Sequence, residues 1–139
     1  MLSKKAKYGL QATIYLAKVE RKKNGPVQIA ELAAHEKIPK KFLEIILLEL
    51  RKHGILHSKL GAGGGYSMGK SVDKITIGQI VRILDGPIAS ISCVSKTAYR
   101  KCDECKDEKT CEIRKIWKKV YDSTVKILDG TTLADAMKK

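Results

Sequence analysis

The segment from Ile38 to Lys70 constrains the fold of this chain more than any other. Pro39 suits the first turn of a helix, because its φ is fixed and it has no N–H group to leave unpaired. Apolar residues then recur with the spacing of one helical face, at Phe42, Leu43, Ile46, Leu47 and Leu50. Gly54 suits the position just after a helix, and basic residues in the last turn favour the helix dipole. The segment therefore predicts a helix from Pro39 to His53.

Two short runs joined by glycines follow this helix directly. Ile55–Lys59 and Tyr66–Met68 flank the sequence Leu-Gly-Ala-Gly-Gly-Gly, in which glycines can adopt the positive φ that a tight turn needs. A second helix is expected at Val27–Glu36, and its distance along the chain from the Pro39 helix is that of a helix-turn-helix. The predicted fold class is therefore mainly α with a small two-stranded β-wing, a winged helix-turn-helix.

Positive charge is concentrated in the half of the chain that carries this motif. The net charge is +13, and residues 1–70 hold 14 Lys and Arg against 5 Asp and Glu, whereas residues 71–139 hold 14 against 10. A basic domain favours a polyanionic partner, and the motif makes that partner double-stranded DNA. Wing lysines would contact phosphates while the start of the Pro39 helix reaches base edges in the major groove. The predicted DNA-binding residues are Gln28, Lys40, Lys41, Phe42, Glu44, Lys59, Gly61 and Lys70.

The remainder of the chain is predicted to hold a sensor and a dimer contact. Thr76 and Gln79 form a capping-box pattern that begins a helix ending at Gly86. Further on, an apolar stripe repeats at spacings of four and three residues, at Ile113, Trp117, Val120, Thr124 and Ile127. This stripe predicts a long helix that packs on its own domain or, as we favour, crosses its copy in a homodimer. The predicted divisions are a winged helix-turn-helix domain at 1–87, a cysteine-rich sensor loop at 88–111, and a dimerisation helix with C-terminal tail at 112–139.

All four cysteines of the chain lie between residues 93 and 111, in a segment without periodicity. In a reducing compartment such clustering indicates a metal site or a redox switch rather than a structural disulfide. Structural zinc usually uses two close pairs of ligands, and only one close pair is present. An iron–sulfur cluster accepts irregular thiolate spacing, so the spacing favours a cluster over zinc, with redox-active or unligated thiols as the alternative. The candidate ligands are Cys93, Cys102, Cys105 and Cys111.

The segment Gly64–Ser71 satisfies the phosphate-loop pattern of nucleotide hydrolases, which defines a rival class of function. That pattern requires a buried strand before it and a helix that opens at the Lys-Ser pair. Here a short polar hairpin precedes the segment, and Val72–Lys74 is not expected to begin a helix. We therefore predict that the match is incidental and that the protein is not an enzyme.

The sequence lacks the features of a membrane or secreted protein. No apolar run approaches the ~20 residues that a membrane span needs. The first residues carry neither the apolar region nor the cleavage site of a signal peptide. We expect a cytoplasmic protein that has no small-molecule substrate.

Several segments together resemble the family of winged helix-turn-helix transcription regulators typified by IscR, NsrR and CymR. They extend through the chain in order and are Ser3–Tyr8, Phe42–Glu44, Leu50–Lys52, Gly63–Tyr66, Ile75–Gly78 and Thr132–Asp135. The resemblance implies a homodimeric bacterial transcription factor, usually a repressor, that binds a palindromic operator. It also implies a sensor of iron–sulfur status, nitric oxide or redox state. The family includes members without a cluster, for which a thiol switch or a partner protein is the alternative control.

The same resemblance assigns roles to individual positions. Three cysteines match the positions that ligate the cluster in many members: Cys93, Cys105 and Cys111. Cys102 is an additional candidate ligand. The fourth-ligand histidine of the IscR type and the aspartate of the NsrR type fall on Arg114 and Lys7, which leaves two-iron and four-iron clusters both open. The wing arginine of many members falls on Leu60.

Overall fold

The computed structural model describes residues 2–138, which form six α-helices and one β-hairpin. The elements are α1 (Lys4–Arg21), α2 (Ile29–Glu36), α3 (Lys40–Lys52), β1 (Leu56–Lys59), β2 (Gly65–Met68), α4 (Ile77–Asp85), α5 (Glu112–Gly130) and α6 (Leu133–Ala136). Short 3-10 turns occur at Val72–Lys74 and Ser92–Val94. The predicted fold class, mainly α with a two-stranded wing, is confirmed. No helix within residues 2–138 combines the length and the hydropathy that crossing a membrane requires.

The helix-turn-helix consists of α2 and α3, joined at a residue with a left-handed backbone. Lys37 has φ 56° and ψ 46° and ends α2, and the next residue, Ile38, is buried in the core. The buried residues of α3 are Leu43, Ile46, Leu47 and Leu50, on the face that the spacing predicted. The predicted start of α2 was wrong. Val27 is not helical, because its N–H and C=O groups pair with Tyr66 of β2 at 2.9 and 2.7 Å.

The wing is the antiparallel hairpin of β1 and β2. Its register pairs are Leu56–Met68, His57–Ser67, Ser58–Tyr66 and Lys59–Gly65. Gly61 and Gly63 close the turn with φ values of 87° and 73°. Gly65 has φ 139°, and a Cβ atom placed on it would lie 2.4 Å from the carbonyl oxygen of Val27. The wing therefore rests directly on the backbone that precedes α2.

One apolar core lies between α1, α2, α3 and α4. Its fully buried larger apolar residues are Leu16, Leu32, Leu43, Ile46, Leu47, Leu50, Ile55, Ile75, Ile80 and Leu133. The predicted capping box opens α4, with Thr76 Oγ1 accepting the Gln79 N–H at 3.1 Å and Gln79 Oε1 accepting the Thr76 N–H at 2.9 Å. Gly86 ends α4 with φ 83°. Local capping chemistry thus sets where α4 begins and ends.

The C-terminal residues return to the core of the winged helix. Thr132 forms an isolated antiparallel bridge with Thr76, and the Leu133 N–H donates to the Ile75 carbonyl oxygen at 2.8 Å. The Leu133 side chain is fully buried. The division of the chain into domains stays a prediction, but residues 131–137 pack on the first of those domains.

Helix α5 presents two unlike faces. Tyr121 and Val125 pack with Cys93 in a small second cluster. Near the C-terminal end of α5, Asp129 accepts two hydrogen bonds from Arg82 of α4 at 2.7 and 3.0 Å. The other face exposes large apolar side chains, those of Ile113, Ile116, Trp117, Val120 and Ile127. The stripe that the sequence predicted is therefore largely at the surface of the single chain.

Candidate DNA-binding surface and cysteine segment

Three of the predicted DNA-binding residues lie together at the start of α3. Lys40 opens the helix, and Lys41 and Glu44 are exposed and three residues apart, which places them on neighbouring turns of one face. The opposite face of α3 is buried in the core. The helix is thus fixed on one side and open on the other, as a helix that enters the major groove must be.

Phe42, which was also predicted to contact DNA, is half-buried. Its ring packs edge-on against Tyr8 of α1, with ring centroids 5.6 Å apart and an angle of 82° between the planes. This contact holds the first turn of α3 against α1. The observed role of Phe42 is therefore to position the recognition helix, and a contact between Phe42 and DNA stays a prediction.

Sequence reasoning did not identify two apolar residues on the outer face of α3. The exposed fractions are 55% for Ile45 and 38% for Leu48. Ile45 lies one turn beyond Lys41, where an aliphatic side chain can contact a thymine methyl group. The signal was the run Ile45–Leu48, because four consecutive apolar residues cannot all lie on one face of a helix.

The predicted wing residues occupy opposite ends of the hairpin. Lys59 ends β1 and Gly61 lies in the turn, while Leu60 between them is 93% exposed. Lys70 lies at the base, since a Cβ atom placed on Gly54 would be 3.9 Å from the Lys70 ammonium nitrogen. A cation there also favours the dipole at the C-terminal end of α3. Lys59 and Gly61 therefore lie close together toward the tip of the wing, and Lys70 lies away from them at its base.

Gln28 is exposed immediately before α2 and beside the wing. A Cβ atom placed on Gly65 of β2 would lie 2.9 Å from the Gln28 backbone nitrogen. The start of α2 and the wing are therefore adjacent parts of one surface. Polar side chains and helix N-termini at such positions commonly contact phosphates, which is the role we predict for Gln28.

The phosphate-loop match does not adopt the geometry of a phosphate loop. Gly65–Met68 within it form strand β2, which belongs to the wing. Val72–Lys74, where no helix was expected, form a single 3-10 turn. One such turn does not supply the aligned N–H groups of a helix that opens at a Lys-Ser pair. This segment therefore lacks the arrangement that nucleotide hydrolysis requires.

Two of the four cysteines take part in the packing around α5. Cys93 is 7% exposed and lies among apolar side chains that include Val94 and Tyr121. Cys111 is the N-cap residue of α5, where its sulfur accepts the Arg114 N–H at 3.4 Å. Both sulfurs therefore have a structural contact in this conformation.

The other two cysteines are the ends of one tight turn. The Cys105 N–H donates to the Cys102 carbonyl oxygen at 3.1 Å. Cys102 is exposed and Cys105 is partly exposed. The Cys102 thiol donates to Glu104 Oε1 at 3.2 Å, so that the carboxylate of Glu104 is held beside the turn.

The hydrogen bond between Cys102 and Glu104 shifts the pKa values of both side chains. The hydrogen bond to Glu104 raises the pKa of the Cys102 thiol, with smaller contributions from desolvation and from the neighbouring sulfurs of Cys93 and Cys105. The same hydrogen bond lowers the pKa of the Glu104 carboxyl. Cys102 therefore keeps its proton to a higher pH than an isolated thiol does.

The thiols that an iron–sulfur cluster needs are present but not gathered in this conformation. Within residues 2–138, no three His, Cys, Asp or Glu side chains lie close enough to share a metal ion. Cys93 is buried in its apolar cluster, and Cys111 caps α5. The arrangement therefore does not fit a bound cluster unless the cysteine loop rearranges, and the assignment of ligands stays a prediction.

A basic winged helix-turn-helix with an open recognition helix, joined to a cysteine loop and a long amphipathic helix, defines a DNA-binding transcription regulator. The Rrf2 family, described as an iron-dependent transcriptional regulator, matches residues 2–139. The chain belongs to the Rrf2 family.

Relatives in sequence and in structure are regulators as well. An rrf2-like HTH-type transcriptional regulator of Rhodobacter capsulatus is 42% identical over 99% of this chain and 92% of its own length. The structure of CymR, the global cysteine regulator of B. subtilis, has a TM-score of 0.80 and 32% identity and covers 99% of this chain and 95% of its own. IscR of T. potens has a TM-score of 0.76 and 31% identity, with coverage of 99% and 85%. The prediction of a regulator rather than an enzyme is confirmed.

Proposed function

We propose that the protein is a homodimeric repressor that acts in the cytoplasm, binds a palindromic operator, and responds to redox or iron–sulfur status through its cysteine segment. The observation that carries this proposal is the exposed apolar face of α5. That face adjoins the cysteine loop at one end, and the same chain presents an open recognition helix and a basic wing.

The homodimer is supported by the side chains that α5 leaves at the surface. Ile113 is 62% exposed, Ile127 is 64% exposed, and three further large apolar residues lie between them on the helix. Exposed apolar area of this extent is unfavourable in water, and burial of such area drives association. Because a two-fold axis brings one surface against itself, a second copy of α5 is a complementary occupant. The alternating spacings of four and three residues suit helix-on-helix packing.

A two-fold dimer would give the operator its form. In helix-turn-helix dimers the two recognition helices enter successive major grooves about one DNA turn, ~34 Å, apart. Because the two copies of α3 are related by symmetry, each reads the same half-site in the opposite direction. The proposed operator is therefore a palindrome whose half-site spacing reports the distance between the two copies of α3.

Replacement of Lys41 by alanine is expected to weaken specific operator binding by about 1–3 kcal/mol and to flatten the sequence preference, if Lys41 contacts a base. Lys41 is exposed at the open start of α3. Lys126→Ala on α5 is the matched control, since it removes the same charge from an exposed residue outside the predicted DNA surface. Binding would be measured against salt concentration, and affinity should fall steeply because each neutralised phosphate releases counterions. Selection from random duplexes that recovers no palindrome would refute the proposed mode of binding.

Two sensing chemistries are supported by different observations. An iron–sulfur cluster is supported by the four thiols in one loop and by membership of a family described as iron-dependent. The residues that would hold this cluster are Cys93, Cys105 and Cys111, with Cys102 as a fourth candidate. The bound cluster would make the cysteine loop sensitive to oxidants. A cluster-free thiol switch is supported by a conformation of residues 2–138 in which no three metal-binding side chains lie close enough to share an ion, and by the likeness to CymR.

Four single Cys→Ala variants, purified without oxygen, separate these chemistries by their iron and sulfide content. If a cluster forms, Cys93→Ala, Cys105→Ala and Cys111→Ala should each lose iron, because removal of one ligand opens the site. Normal iron in Cys102→Ala alone would make Cys102 dispensable for the cluster. Equal iron in the wild type and in all four variants would exclude a cluster held by cysteines. Operator affinity in matched anaerobic and air-exposed samples then shows whether the site controls binding.

A further inference from the structure

The structure divides the four cysteines into two pairs with different surroundings. Cys93 is packed in an apolar cluster, and Cys111 accepts a backbone hydrogen bond at the start of α5. Among the described contacts, the side chains of Cys102 and Cys105 neither pack in an apolar cluster nor cap a helix. These two residues are the ends of a turn at the surface. The two pairs are therefore suited to different chemistry.

The turn itself brings Cys102 and Cys105 within reach of each other. Its 3.1 Å hydrogen bond, from the Cys105 N–H to the Cys102 carbonyl oxygen, joins residues three apart. The ends of such a turn have Cα atoms less than about 7 Å apart. Disulfides span Cα separations of about 4.4–6.8 Å, so a bond between these two sulfurs requires little movement of the backbone.

Other pairings require more rearrangement. A disulfide to Cys93 would either draw Cys93 out of the apolar cluster that it shares with Tyr121 or bring its partner into that cluster. Cys111 would have to give up its hydrogen bond with the Arg114 N–H, which caps α5. A bond between Cys102 and Cys105 leaves both of those contacts in place and gives up only the exposed hydrogen bond from the Cys102 thiol to Glu104. Both sulfurs are accessible to a small oxidant.

We propose that Cys102 and Cys105 form a reversible dithiol–disulfide couple that a hydroperoxide oxidises, independently of Cys93 and Cys111. One of the two sulfurs attacks the O–O bond, which breaks to give a sulfenic acid and, from hydrogen peroxide, one water. The second sulfur then displaces the sulfenic hydroxyl group as a second water and forms the S–S bond. The two sulfurs lose two electrons to the peroxide, and both thiol protons leave in the water.

Oxidation would also alter the contacts around the turn. The Cys102 thiol loses the proton that it donates to Glu104, so this carboxylate is released from the turn. Two residues before Cys102, Arg100 is tied to Ser92 by hydrogen bonds of 2.8 and 3.2 Å. Ser92 begins the 3-10 turn that packs on α5. This chain of contacts joins the couple to α5, and its regulatory consequence rests on the function proposed above.

The test uses the full chain carrying Cys93→Ser and Cys111→Ser, which removes two of the predicted cluster ligands and leaves the couple. After treatment with hydrogen peroxide and alkylation of free thiols, the intact mass should lie about 2 Da below that of the reduced, unalkylated protein, because neither thiol is alkylated. Dithiothreitol should restore both alkylation sites. Peptide mapping should place the link between Cys102 and Cys105. The same mapping on metal-free wild-type protein guards against a folding defect in the variant. A wild-type disulfide that includes Cys93 or Cys111, or two free thiols after oxidation, would overturn the proposal.

Operator affinity of the same double variant tests the regulatory consequence. Oxidation should change the affinity by about fivefold or more, reversibly, and adding Cys102→Ser should abolish the change. Equal affinity of the oxidised and reduced forms would refute the regulatory role of the couple. Absence of operator binding in both forms would likewise refute this regulatory role, whereas absence of operator binding by the wild type as well would count against the proposed function. The mass measurement still decides whether the couple exists.

Discussion

Replacement of Leu133 by alanine is expected to lower the free energy of unfolding by about 2–5 kcal/mol, the range for a buried leucine that leaves a cavity. Leu133 follows the exposed α5 helix, yet its side chain is fully buried in the core of the winged helix. The hydrogen bond from its N–H to the Ile75 carbonyl holds the backbone in place, so the site cannot easily collapse around the smaller side chain. Urea unfolding at several protein concentrations would measure the loss, since dimerisation makes apparent stability depend on concentration.

Leu60→Ala is the matched control for this experiment. It makes the same chemical change at a side chain that is 93% exposed at the wing tip, and it should alter the free energy of unfolding by less than about 0.5 kcal/mol. If Leu133→Ala were as mild as Leu60→Ala, the C-terminal segment would not be part of the core, contrary to the burial of Leu133 in the structure.

The second large effect is expected from Gly65→Ala, which should detach the wing from the start of α2. The added Cβ would lie 2.4 Å from the Val27 carbonyl oxygen, and the φ of 139° is one that residues with a side chain rarely adopt. Strain of this kind costs about 1–3 kcal/mol, and relief of the clash requires breaking the bridge between Val27 and Tyr66. Operator affinity should fall about tenfold or more, because 1.4 kcal/mol of lost wing contact is a factor of ten. Fluorescence anisotropy with a labelled operator would measure it.

Gly25→Ala provides the comparison for Gly65→Ala. A Cβ atom on Gly25 meets nothing within 4 Å, although this glycine lies only two residues before Val27. Its affinity should equal that of the wild type. If the Gly65→Ala variant also bound the operator with the affinity of the wild type, the contact between the wing and Val27 would not matter for binding DNA.

Much of the fold could be predicted from sequence because its helices are limited by local chemistry. Ser3 caps α1 through a hydrogen bond from the Ala6 N–H, and Thr76 with Gln79 opens α4, both as their residue types indicate. The apolar face of α3 follows directly from a 3.6-residue period. Such signals involve residues within four positions of each other, so a single chain displays them without knowledge of its partners in space.

Contacts between distant segments were not predictable in the same way. Val27 has a residue type and position that suit the first turn of a helix, but pairing with Tyr66 satisfies its backbone instead. The return of Leu133 to the core pairs residues that are more than fifty positions apart along the chain. No periodic pattern encodes such a pairing, since it depends on the space that α1 and α4 leave between them.

In the candidate DNA surface, too, some features were predictable from local sequence and others were not. The lysines at the start of α3 were placed on the open face by periodicity alone. Sequence could not show that Lys59 lies at the tip of the wing and Lys70 at its base, because that distinction depends on the register of the hairpin. Nor could it separate the buried Cys93 from the exposed Cys102, because burial of a cysteine loop depends on which side of α5 it covers.

The two ends of α5 contact different parts of the protein, with the winged helix at the C-terminal end and the cysteine loop at the N-terminal end. At its C-terminal end, the Arg82–Asp129 ion pair and the bridge at Thr132 fasten it to the winged helix. At its N-terminal end the cysteine loop caps it through Cys111, and the Tyr121 cluster packs against its middle. Nineteen residues span about 28 Å, so a displacement of about 2 Å at the cysteine end turns the helix by about 4° around the fastened end. In a dimer built on α5, a chemical change at the thiols would thereby alter the angle between the two winged helix-turn-helix domains, and so the fit of the two copies of α3 to the DNA.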